Sequence, residues 1–129
     1  MPGSRLSAFA YAVVRIVPRI ERGEGFNAGV VLLCRQLDFL AARVALDERR
    51  LAALAPDTPP DTLRPLLEAI VRVADGDPTA GPIAALPPSD RFGWLAAPAS
   101  TIIQPSPVHT GLCDDPRATL ESLFAELVG

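Results

Sequence analysis

Two short segments of the 129-residue chain gather the side chains able to do chemistry. The first runs from Pro18 to Val30 and brings Arg22, Glu24 and Asn27 close together in sequence, a set able to grip a carboxylate or phosphate and to orient a second polar group. Its glycines lack the spacing of a phosphate-cradling loop, and no helix follows it. The same residues also have a purely structural reading, in which Gly23, Gly25 and Asn27 supply turn backbone while Arg22 and Glu24 pair in solvent. The second segment, Ser106 to Asp115, holds the only histidine, His109, and one of the two cysteines, Cys113. A cysteine and a histidine are the minimum for an activated nucleophile, but their spacing does not set the imidazole against the sulfur. Zinc would need two further ligands, and Asp115 is better used as a helix cap. The plainer reading is an extended loop that leads into the last helix, with His109 bonded to backbone.

Arg15 is the third chemical feature, because it interrupts an apolar strand. A charge there needs a partner, and Glu21, Glu24 or an acid from a helix would supply one. Otherwise its face is a binding groove or an oligomer seam. The candidate binding or interaction residues are therefore Arg15, Arg22, Glu24, Asn27, Ser106 and His109. No residue is assigned to catalysis, a cofactor or a metal.

Composition narrows the function classes. All 12 basic residues are arginine, so Schiff-base enzymes, phosphate-loop NTPases and kinases are excluded as activities of this chain, each needing a lysine. Arginine for lysine, with 14 prolines, is also what a GC-rich genome yields. The first 50 residues carry a surplus of arginine and the remainder a surplus of acid, within a net charge of −3. The acidic second half opposes phosphate, which argues against nucleic-acid binding. Cys34, in an apolar run, reads as a buried hydrophobe, whereas Cys113, in a polar segment, is expected to be partly exposed. No disulfide framework is implied and a reducing cytoplasm fits. The apolar stretch Leu6 to Val17 lacks a signal-peptide cleavage site and reads as a strand. No segment is long enough to span a membrane.

These residues must be held by a small set of elements. Residues 1–7 are expected to form a flexible tail and 8–129 a single α+β domain, an antiparallel sheet packed with two to four helices. Strands are predicted over Ala8–Val17, Ala28–Arg35 and Phe39–Leu46 as a three-strand meander, with a short fourth strand over Thr101–Gln104. Along the third, Leu40, Ala42, Val44 and Leu46 are expected inward and Ala41, Arg43 and Ala45 outward. Asp47 should cap a short helix through about Leu54. A second helix, capped by Thr62 with Pro65 in its first turn and stopped by Gly76, should bury Leu63, Leu66, Leu67, Ile70, Val71 and Ala74. Ser89 or Asp90 should start a short helical segment that carries Phe92 and Trp94 toward the core, where large aromatics usually go. Asp115 caps the final helix, Pro116 opens it, and Leu120, Leu123, Phe124, Leu127 and Val128 form its buried stripe.

Several separated motifs occur in a recognisable order: Tyr11-Ala-Val-Val-Arg15-Ile-Val-Pro18, Arg22-Gly-Glu24, Asn27-Ala-Gly29-Val30, Arg91-Phe-Gly-Trp94-Leu, Ser100-Thr-Ile-Ile-Gln104-Pro-Ser106-Pro and Gly111-Leu-Cys-Asp114. In these the chain resembles, from about Ala8 to Val128, the uncharacterised bacterial family called domain of unknown function 3037. The resemblance implies an arginine at the position where this chain has Ala99, so an anion site built on that arginine would be missing here. It also implies an accessory or protein-interaction role beside a HipA-like serine/threonine kinase. The expected function is thus a bacterial cytoplasmic interaction module without a cofactor, with self-association left open. The alternative is a small-molecule or anion binder, or an enzyme, that uses the Arg22/Glu24/Asn27 loop with Arg15 and the Ser106–His109 loop.

Overall fold

The computed structural model describes residues 6–99 and 101–129 of the chain. Residues 1–5 of the expected tail, and Ser100 of the late motif, lie outside the described residues. Leu6 is exposed, and Ser7 already belongs to the first strand.

Runs of apolar residues produce three strands in succession: β1 (Ser7–Ile16), β2 (Phe26–Cys34) and β3 (Phe39–Val44). They pair antiparallel as a meander, with Val13 opposite Val30 and Val31 opposite Ala42. The pairing of β1 with β2 shifts by one residue between Val14 and Arg15, where Arg15 faces Asn27. Two short late strands, β4 (Ile103–Pro105) and β5 (His109–Cys113), both pair with the free side of β1. The sheet thus reads β3-β2-β1, with β4 and β5 end to end in the last column. The fold is α+β, as the sequence predicts.

The expected loop over residues 106–114 is largely strand β5. Its short run of mixed polarity, between Pro107 and Asp114, hides the period-two signal, and its partner β1 lies about a hundred residues away in sequence. Proline supplies the break between β4 and β5, since Pro107, in the gap, has no N–H to donate. Ser106 bridges the gap. Its N–H donates to the Val13 carbonyl, and its hydroxyl accepts from the Val13 N–H at 2.8 Å and donates to the Pro107 carbonyl.

Four helices cover the two faces. Three of them, α1 (Glu48–Leu54), α2 (Arg64–Asp75) and α3 (Pro88–Leu95), pack on the face that carries Val14, Ile16, Phe26, Val31 and Leu33. The fourth, α4 (Pro116–Leu127), packs over β2 and β3 on the face of Phe9, Val30, Leu32 and Cys34. Asp47 caps α1 and Asp115 caps α4 through their carboxylates, as expected. Left-handed Gly76 ends α2.

The start of α2 departs from expectation. Leu63 occupies the cap position, whereas Thr62 belongs to a preceding 3-10 turn and its hydroxyl donates to the Pro59 carbonyl. Pro65 does lie in the first turn of the helix. The third strand is covered on both sides, so Ala41 is buried and not outward, and Arg43 lies against α4. Cys113 is also buried, because β5 turns it under α4 with Leu120 and Cys34.

Candidate functional site

The structure distributes the six candidate residues over three places. Arg15 and Asn27 lie opposite each other at the bulge of β1 and β2. The Arg15 Nε donates to the Asn27 amide oxygen at 3.2 Å, and the Asn27 amide nitrogen donates to the Leu127 carbonyl at 2.9 Å. The partner of this half-buried arginine is therefore an amide that reaches the carbonyl end of α4, where the helix dipole favours a cation. No carboxylate takes the role expected of Glu21 or Glu24. The group is a fastener between sheet and helix.

Arg22 and Glu24 form an exposed ion pair at 2.7 Å in the β1–β2 connection. Gly23, with φ 70°, supplies the left-handed residue between them. With Pro18, Arg19 and Leu54 they line a small cavity of about 150 Å³. Arg15, Asn27, Ser106 and His109 are not among its lining residues.

Ser106 is occupied by the bridging bonds to β1, and His109 lies on the exposed end of β5 with its ring 5.2 Å from that of Tyr11. Cys113 sits at the opposite end of the strand. Burial, with the neighbouring Cys34 adding to it, raises the Cys113 thiol above its ordinary pKa, which opposes nucleophilic use. Among the described residues there is no group of three or more histidine, cysteine or acidic side chains placed to hold a metal ion.

A different region has the dimensions of a binding site. A groove of about 500 Å³ lies between the β4 edge of the sheet, the segment that precedes it, and helices α2 and α3. Val14, Ile103 and Pro105 supply the sheet side, while Leu66, Ile70, Trp94 and Leu95 supply the helical side. Among the described residues that line it, Thr101 carries the only polar side chain and none is charged. Ala99, where the resemblance implies an arginine, is one of the lining residues. Trp94 is 54% exposed and Leu66 49%, so both depart from the expected core positions. Phe92 takes the core place instead, at 7% exposure.

Local geometry explains that split. Phe92 points from α3 into the cluster against the sheet, and Trp94, two residues on, must then face away along the groove. Leu66 likewise precedes the buried Leu67 by one position on α2. The sequence carried no sign of this, since the six apolar residues from Leu63 to Ala74 have the spacing of one buried face.

Arg91, from the same late motif, holds α3 in place. Its guanidinium donates to the Leu86 and Ala74 carbonyls, which tie α3 to the C-terminal end of α2.

No helix among the described residues is long and apolar enough to cross a membrane. No curated protein and no solved structure matches the chain. A family model described as Protein of unknown function (DUF3037) matches residues 11–128, a span that takes in both the Arg15–Asn27 fastener and the whole apolar groove. The chain therefore belongs to the DUF3037 family.

Proposed function

We propose that this chain is an accessory, protein-interaction module whose partner docks in the groove between β4, α2 and α3. One observation carries the reading: the only tryptophan stands half exposed beside Leu66, in a groove that no charged side chain lines among the described residues. Contiguous apolar surface of this kind marks interaction sites, and exposed tryptophans are the commonest anchors of such contacts. The bacterial cytoplasm is the proposed setting, and the resemblance makes a HipA-like serine/threonine kinase the first partner to test. A partner helix with apolar residues at i, i+3 and i+4 would suit the groove.

A second reading rests on the cavity beside Arg19, Arg22 and Glu24, where two arginines against one glutamate favour a small anion. It uses only two of the six candidate residues. Its Arg22–Glu24 pair is solvated, so its pull on a ligand would be weak.

Affinity capture from the native host with the full chain and with its Leu66→Glu variant tests the first reading. The wild type should retain a partner that the variant loses. Equal retention by both would place docking elsewhere.

A further inference from the structure

The last column of the sheet is blocked along one half and open along the other. At its β4 end, Pro105 and Pro107 remove backbone donors, a device that stops strands from adding to an edge. At its β5 end, from Val108 to Cys113, there is no proline, no carboxylate and no arginine.

The hydrogen-bond alternation along β1 fixes what that open half presents. Val13 and Val17 bond toward the β4 side, through Ser106 and Ile102, so the odd-numbered residues of β1 face this column. The register then turns His109, Gly111 and Cys113 inward, opposite Tyr11, Phe9 and Ser7. Thr110 and Leu112 are left with their N–H and C=O groups pointing out of the sheet. Val108 continues the alternation. Among the described residues no strand pairs with this edge. The side chains of Val108 and Leu112 are 47% and 65% exposed, although both are large and apolar.

From this edge we infer that the chain forms a two-fold dimer by antiparallel pairing of β5 with β5 of a second copy. An incoming strand of the same sequence fits in one register. With Thr110 opposite Thr110 of the partner subunit, each Val108 lies opposite Leu112 of the partner subunit and no charge meets a like charge. The same register leaves the proline break outside the paired segment and sets each His109 opposite Gly111 of the partner subunit. Gly111 itself has no space for a side chain, since a Cβ there would lie 2.7 Å from the Phe9 ring. The interface is isologous, as a closed dimer requires. Because the paired strand is short, association in the micromolar range is expected and not an obligate dimer. The inference stands on the sheet edge and does not depend on the groove having a partner.

Sedimentation of the full chain over a range of concentrations tests it, together with two variants. The wild type should move from the monomer mass to twice that mass as concentration rises. Thr110→Pro removes only an outward donor, so it should stay folded by circular dichroism yet remain monomeric throughout. Thr110→Cys should cross-link to a disulfide dimer under oxidised glutathione, since opposed residues in such a pair stand about 5.5 Å apart at Cα, within disulfide reach. The native cysteines are buried and should contribute no background. A wild type that is monomeric at every concentration overturns the inference. So does a dimer that survives Thr110→Pro and fails to cross-link through Thr110→Cys.

Discussion

The two faces of the sheet are closed by different kinds of contact. Three helices bury one face in a continuous apolar cluster, with Ile16, Leu51 and Leu63 almost wholly removed from water. A single helix covers the other, and Leu120 is its only fully buried residue. Leu123, Leu127 and Val128 pack beside it only partly buried, and polar and aromatic contacts add to them. Arg43 pairs with Glu121 and lies over the Phe124 ring, Arg117 lies over Phe39, and Asn27 holds the Leu127 carbonyl. The better-buried face also carries the exposed groove. The packing of α2 and α3 on that face rests on Leu63, Leu67, Ala74 and Phe92, so Leu66 and Trp94 stay outside the core without loss of fold.

Truncating each layer in turn would break or sharpen this contrast. Ile16→Ala should cost the most, about 4 kcal/mol, because the surrounding cluster cannot collapse into the space. Leu120→Ala should cost about 3 kcal/mol, since a lone helix can settle toward the sheet. Urea unfolding followed by circular dichroism measures both, and a larger loss at Leu120 would reverse the ranking of the two layers. Asn27→Ala leaves Arg15 and the Leu127 carbonyl without their link, and should cost about 1 kcal/mol in a half-buried site. Hydrogen exchange should then show faster opening of the C-terminal turn of α4 than of α2.

Titration adds a smaller effect on the α4 face. Burial raises the folded pKa of Cys113 above its unfolded value, so the unfolded chain ionises first as pH rises. The associated stability is full below about pH 8.5, the ordinary thiol value, and declines above it. Melting temperature should fall over that range and the fall should diminish in Cys113→Ala. The smallest expected change in stability is at the groove: Trp94→Ala should alter unfolding by no more than about 0.5 kcal/mol, as for other exposed positions.

Much of this architecture was legible in the sequence because it is local. The meander follows from three neighbouring apolar runs, and the carboxylates of Asp47 and Asp115 and the left-handed backbone of Gly76 mark helix ends. What escaped was decided by distant contacts. Strand β5 is too short and mixed to show a period, and it exists because β1 offers a free side. The pairing of Arg15 with Asn27 could be seen only once a bulge set the two opposite each other. Trp94 was misplaced because size and apolarity say that a residue prefers burial, while the turn of α3 that buries Phe92 decides which one obtains it. The loop candidates near Arg22 and His109 were sound as chemistry, but sequence proximity could not show that separate parts of the fold hold them.

Fluorescence of the single tryptophan tests the docking claim most directly. In the free chain Trp94 is half in water, so its emission should lie well to the red. Titration with the captured partner, beginning with a HipA-like kinase lacking tryptophan, should shift that emission to the blue and saturate, and Leu66→Glu should abolish the shift. A partner that binds the chain while Trp94 emission stays unchanged would contradict the account.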